Sequence, residues 1–122
     1  MDYWFLIIAA ILSFAGMVFH GFVGGRIYMG NINKIDMEPL TKSLSLVSWH
    51  VFTLFLAVAS FTFLYIAHMP SAYLAAYPLI AVNLLVALLF IALGMSGHRQ
   101  LLTLPGAYLM GATGLFAWLG IS

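Results

Sequence analysis

Long stretches without a single charged residue are the feature that most constrains how this chain can fold. No Asp, Glu, Lys or Arg occurs in residues 3–23, 43–97 or 100–122. A helix needs about 20 apolar residues to cross the ~30 Å hydrocarbon core of a bilayer. The first and last runs are each long enough for one helix, and the middle run for two. The sequence therefore predicts four membrane-spanning helices.

The scarcity of charge also excludes several classes of protein. Only 6% of the 122 residues are charged, whereas soluble domains carry about 25%. Four Lys and Arg residues are too few for a phosphate-binding patch, so we expect no nucleic acid as a partner. The chain has no Cys, which excludes disulfide scaffolds, Cys-based zinc sites and thiol catalysis.

Proline and glycine divide the uncharged runs. Met69-Pro70-Ser71 interrupts the middle run, because proline cannot continue a helix. Gly24-Gly25 is predicted to end the first helix, and the Gly30-Asn31 pair to form a turn. The prediction is one all-α domain over residues 1–122, an antiparallel bundle of four transmembrane helices with spans at about 3–24, 44–68, 75–95 and 105–121.

Orientation in the membrane follows from the basic residues. Loops 25–43 and 96–104 hold all four of them, which are Arg26, Lys34, Lys42 and Arg99. Basic loops stay in the cytoplasm. We therefore predict a multi-pass protein of the bacterial inner membrane with these two loops inside and both termini outside. With only four charges to set the bias, insertion in both orientations remains an alternative.

Small and polar residues recur at helical spacing on each predicted span. Such stripes let membrane helices approach closely, and they predict a tight bundle with some stripes left for contacts between subunits of a homo-oligomer. The predicted helix-packing residues are Gly16, Gly21, Gly25, Ala57 and Gly94.

The histidines are the strongest candidates for chemistry. No span contains a charged residue and no catalytic motif is visible, so the sequence gives no basis for an enzyme. His20 and His50 lie near the basic ends of the first and second spans, at similar predicted depth. The other candidates for a pore or ligand site are Thr53, Glu38, His98 and Asn83, with Asn83 either lining a pore or forming an interhelical hydrogen bond.

Four functions remain open for these residues. The leading hypothesis is an oligomeric channel or permease whose inner-leaflet His20 and His50 set conductance or the response to pH. In the second, the same imidazoles bind haem b from opposite sides, as a subunit of a larger membrane complex. In the third, they bind a divalent metal with Glu38 or His98 as a third ligand. In the fourth, the histidines only hold a scaffold together.

The segment from His20 through Gly24-Gly25-Arg26 to Trp49-His50 resembles small bacterial four-span membrane proteins of unknown function. Those proteins carry a His near the end of the first helix, a Gly-Glu-Arg-like turn and a Trp-His pair opening the second. This chain lacks the acidic residue of that turn. His20 followed by two glycines is also similar to four-helix membrane families that handle haem or copper. The resemblance implies a four-span fold and assigns no activity.

Overall fold

The computed structural model describes all residues, Met1–Ser122, and is entirely helical, without a strand. The first helix begins as α1, Tyr3–Val18, passes through a π-helical turn, Phe19–Gly24, and continues as α2, Gly25–Ile32. These three parts form one helix of 30 residues. The second helix, α3, also has 30 residues, Pro39–His68.

The last two helices are shorter. A 3₁₀ turn, Pro70–Ala75, leads into α4, Ala76–Met95. A second 3₁₀ turn, Arg99–Thr103, precedes α5, Gly106–Ile121. The prediction of four helices is therefore confirmed. Three of them are long and apolar enough to cross a membrane, and α5 is apolar but has only 16 residues.

Local chemistry explains where the helices begin and end. The Asp2 carboxylate accepts hydrogen bonds from the backbone N–H groups of Trp4 and Phe5, which otherwise lack partners in the first turn. The predicted break after α3 is confirmed, since the helix ends at His68, just before Met69-Pro70. After α4 the chain turns at Gly97, whose φ of 117° favours glycine.

The first helix does not end at Gly24-Gly25, and that prediction was wrong. The backbone widens into the π turn and remains helical for another eight residues. Gly30 and Asn31, predicted to form a turn, lie in α2, and the connection to α3 occupies residues 33–38. Glycine weakens a helix but does not stop it when neighbouring packing compensates. Much of the predicted loop 25–43 is consequently helix.

The helices pack in the spatial order α3, α1, α5, α4, with α1 and α5 in the middle and little direct contact between α3 and α4. One apolar cluster joins all four helices through Leu6, Ala9, Phe63, Ile80 and Ala117. A second cluster joins Leu56, Ala87 and Met110. Side chains thus fill the centre of the molecule.

The small-residue stripes lie inside the chain rather than on its outside. Many of their members are buried, and these are Ser13, Gly16, Ser60, Ala76, Asn83, Ala87, Gly94, Thr113, Ala117 and Gly120. Gly21 and Ala57 are half-buried, and contact of some stripes with other subunits stays a prediction. Most of the side chains that remain exposed on the helices are large and apolar.

The two ends of the molecule differ in charge. At one end, the Asp2 N–H donates to the Gly120 carbonyl, and the Tyr3 hydroxyl lies 3.3 Å from Nε2 of His68. The N-terminal end of the first helix therefore meets the C-terminal end of α3 there. Toward the opposite end lie all four Lys and Arg residues: Arg26 in α2, Lys34 in the connection to α3, Lys42 in the first turn of α3 and Arg99 after α4. We refer to this opposite end as the basic end.

Candidate functional site

His20 and His50 meet around one hydroxyl group. Nδ1 of His20 lies 2.8 Å from Oγ1 of Thr53, and Nδ1 of His50 lies 3.4 Å from the same oxygen. His20 comes from the π turn, whereas His50 and Thr53 lie one turn apart on α3. All three side chains are half-buried. We call these three residues the His–Thr–His site.

The π turn is held by a second contact with α3. The carbonyl of His20 accepts a hydrogen bond from the N–H of Gly25, five residues on, as a π turn requires. The same oxygen accepts a bond of 2.7 Å from the indole N–H of Trp49. A carbonyl oxygen has two lone pairs, so it can accept both bonds. Trp49 therefore stabilises the irregular turn that presents His20.

Aromatic rings hold the orientation of the His20 side chain. Its imidazole stacks on Trp49 with ring centres 4.2 Å apart and planes at 9°. Tyr28 of α2 stacks on Trp49 as well, at 4.4 Å and 14°, and Phe52 meets His20 with its ring edge at 5.2 Å. The imidazole is thus fixed by ring stacking as well as by Thr53.

Three glycines allow this close approach. A Cβ atom at Gly21 would lie 2.8 Å from Cγ2 of Thr53, and one at Gly24 would lie 2.9 Å from the Trp49 ring. At Gly25 a Cβ would touch both Trp49 and His50. Two of the predicted helix-packing residues, Gly21 and Gly25, therefore lie at the same site as the histidines, whereas Gly16 faces Leu56 and Gly94 faces Leu102.

Hydrogen-bond accounting constrains the protons of the site. A hydroxyl donates one hydrogen bond, while a neutral imidazole has one N–H and one bare nitrogen. Thr53 can therefore donate to Nδ1 of one histidine and accept from Nδ1 of the other. The neutral pair then holds opposite tautomers. When the accepting ring is protonated, its Nδ1 becomes a donor and the Thr53 hydroxyl must turn away.

The structure does not bring the other predicted ligands to this site. Glu38 is exposed at the start of α3, three turns before His50, and His98 is exposed after α4. No group of three His, Asp or Glu side chains forms a metal-binding cluster. His20 and His50 therefore lack the third protein ligand that the divalent-metal hypothesis named.

A haem bound between the two rings would use their Nε2 atoms, because both Nδ1 atoms lie at the Thr53 hydroxyl. Histidines that bind a metal through one ring nitrogen commonly make a hydrogen bond with the other, so the contact with Thr53 does not exclude haem. Two clefts lie elsewhere. One, of about 460 Å³, is beside Arg99, and the other, of about 300 Å³, is an apolar groove between α1 and α3 that includes Phe14 and Phe61.

Asn83 is separate from the histidines. It is fully buried against α5 next to Gly114, so it lines no path in this chain. Its Nδ2 donates to the Leu79 carbonyl of its own helix rather than across helices, and its Oδ1 has no hydrogen-bond partner. Neither of the two roles predicted for Asn83 matches this position.

Sequence reasoning missed the role of Trp49 and the π turn. The Trp49-His50 pair contributed only to a resemblance, although an indole N–H is a donor that needs a partner when it lies in an apolar region. The signal for the π turn was the Gly24-Gly25 pair, which was interpreted as a helix end. Nothing in the residue spacing indicated that Tyr28 would extend the stack.

Comparison with protein-family models, curated proteins and solved structures finds no match to this chain. Its function must therefore be inferred from the residues and their geometry.

Proposed function

We propose that this chain is a four-span antiparallel membrane protein that forms a homo-oligomeric channel or permease. The His–Thr–His site sets its conductance or its response to pH. The observation that carries this proposal is the pair of imidazoles at one hydroxyl, in the predicted spans 3–24 and 44–68, which contain no carboxylate or amine. Histidine is the side chain whose unperturbed titration falls nearest to neutral pH.

The location of the site supports a controlling role. It lies near the basic end, which faces the cytoplasm of a bacterial inner membrane in this proposal because basic segments stay inside. It also joins two helices at an irregular turn, and π turns are frequent at functional sites. A change of protonation there alters a contact between helices and not only a surface charge.

The filled core determines where a permeant species would pass. The half of the molecule away from the basic end is filled by Phe63, Leu6 and Ile66, each at most 1% exposed. A continuous aqueous path within one chain is incompatible with that packing. The path therefore runs between copies of the chain, in line with the cyclic symmetry common among homo-oligomers.

Ion flux into liposomes tests the proposal, with His50→Ala as the variant. We expect the variant to fold and its flux and pH dependence to differ from those of the wild type, because Thr53 loses one of its two histidine partners. His68→Ala is the matched control, since His68 contacts Tyr3 at the far end of the molecule. Equal flux in His50→Ala and wild type would remove His50 from the mechanism.

The haem alternative has a separate test that uses the same purified protein. A Soret band before or after dithionite reduction, lost in both His20→Ala and His50→Ala, would favour haem binding over a channel. A colourless protein after expression with haem supplied would remove that alternative.

A further inference from the structure

Each histidine of the His–Thr–His site has a second ring nitrogen, Nε2, that makes no contact with Thr53. Nε2 of His20 and Nε2 of His50 have no hydrogen-bond partner, and neither is among the buried unpaired atoms of the protein. Neither atom is therefore fully buried. In the arrangement in which Thr53 donates to one Nδ1 and accepts from the other, the Nε2 atoms also hold opposite roles, one as an N–H and the other as a bare acceptor.

We propose that Thr53 connects His20 and His50 into a proton wire and that the proton is the species handled at this site. A proton binds the bare Nε2 of the first ring, and that ring's Nδ1–H bond breaks as its proton passes to Oγ1 of Thr53. The hydroxyl proton of Thr53 passes at the same time to Nδ1 of the second ring. That ring releases its Nε2 proton, so one proton enters and one leaves.

The transfer leaves the wire reversed. The first ring now carries its proton on Nε2, the second on Nδ1, and the Thr53 hydroxyl donates to the first ring. A second transfer in the same direction requires both tautomers and the hydroxyl to reset. During the transfer, His20 is held in place by its stack on Trp49 and by the bond from Trp49 to the His20 carbonyl.

Other titratable groups do not complete an alternative route through these rings. No Asp or Glu joins the two histidines in a cluster, and the nearest phenol in the stack, that of Tyr28, is separated from His20 by the indole of Trp49. Thr53 is the one side chain within hydrogen-bond distance of both imidazoles.

The first arm of the test measures the tautomers directly. Protein labelled with ¹⁵N-histidine and carrying His68→Gln and His98→Gln retains only the two rings of the site. At alkaline pH, where both rings are neutral, we expect the Nδ1–H populations of His20 and His50 to sum to one. Thr53→Val keeps the shape of the side chain and removes the hydroxyl, so the sum should depart from one. Thr53→Ser should restore it.

The second arm measures proton flux into vesicles with a pH-sensitive dye. This arm rests on the proposed function. We expect Thr53→Val to slow the flux about 100-fold, the lower end of what positioned proton transfer contributes, and Thr53→Ser to keep the wild-type rate.

The two arms separate the failure of the wire from the failure of the proposed function. The wire is overturned if the Nδ1–H populations of His20 and His50 in the wild-type site do not sum to one. It is also overturned if Thr53→Val conducts protons as fast as the wild type. Either result leaves a channel function standing. If wild-type vesicles conduct no ion above protein-free vesicles, the proposed function fails and the tautomer sums alone decide the wire. Should Thr53→Val fail to fold, the wild-type sum and Thr53→Ser still decide it.

Discussion

Thr53 and Gly21 show how single atoms determine whether the first helix can reach α3. The methyl group of Thr53 occupies the space that a side chain at Gly21 would need, and its hydroxyl contacts both histidines. Helix packing and hydrogen bonding therefore depend on the same two residues. A substitution at Gly21 should disturb the site without removing any of its polar groups.

We expect Gly21→Ala to lower the free energy of unfolding by about 1–3 kcal/mol, the usual cost of overpacking. The added Cβ would lie 2.8 Å from the Thr53 methyl carbon, and turning Thr53 to its other helical rotamer would move its hydroxyl away from the two histidines. Thermal unfolding in detergent measures the effect.

Gly30→Ala provides the matched control, because Gly30 is helical and a Cβ there meets nothing within 4 Å. This control should be neutral or slightly stabilising, since alanine favours helix over glycine. Equal loss of stability in the two variants would show that the contact with Thr53 is not responsible.

At the residue scale, the sequence predicted the site members His20, His50 and Thr53 but not their connection. Matched depth on neighbouring helices brought the two rings to the same level. That Thr53 serves both Nδ1 atoms depends on side-chain rotamers and on the π turn, neither of which residue spacing specifies. The ligand roles of Glu38 and His98 failed because each lies outside the helix segment that holds the histidines.

Two serines connect α1 and α3 reciprocally at the element scale. Ser13 of α1 donates to the Leu56 carbonyl at 2.8 Å, and Ser60 of α3 donates to the Ala10 carbonyl at 2.7 Å. Both serines are buried. Each helix therefore supplies a donor to the backbone of the other, which fixes their relative rotation and height close to the His–Thr–His site.

We expect Ser13→Ala and Ser60→Ala each to cost about 0.6 kcal/mol, the average for hydrogen bonds between membrane helices. The double variant should lose about the sum. Unfolding by a denaturing detergent measures these differences. Ser45→Ala is the control, because Ser45 donates to the Thr41 carbonyl within α3. A double variant as stable as Ser45→Ala would contradict the assigned role.

Uncharged runs predicted the number of helices well but not all their boundaries. The break at Pro70 was predictable because proline removes a donor and clashes with the preceding turn. The continuation beyond Gly25 was not, because it depends on Trp49, which lies 24 positions further along the chain and bonds to the turn. Charged residues such as Arg26 also mark where a helix leaves the hydrocarbon, and a helix can continue past that point.

For the whole molecule, the separation of charge between the two ends gives a direct test of topology. The connection at Ser71 and the terminus at Ser122 contain no basic residue, whereas Asn33 lies beside Lys34 at the basic end. All three residues are exposed. Because the chain lacks Cys, a single introduced thiol reports its own location without interference.

We expect Ser71→Cys and Ser122→Cys to react with a membrane-impermeant thiol reagent applied to intact cells, whereas Asn33→Cys should react only after lysis. Basic segments are retained in the cytoplasm, which is the reason for this asymmetry. Labelling of all three variants in intact cells would instead indicate insertion in both orientations.

The unequal helix lengths have a consequence for the surrounding lipid. α5 has 16 residues and spans about 24 Å, whereas the 30 residues of the first helix span about 45 Å. A hydrocarbon core of about 30 Å matches neither length. If all four helices span a bilayer, the short α5 is accommodated by thinning of the lipid next to the exposed Leu115 and Leu119 or by its flanking residues, while the long helices tilt or project beyond the core. Hydrophobic mismatch costs fractions of a kcal/mol per Å, so bilayer thickness becomes a variable that acts on this protein from outside.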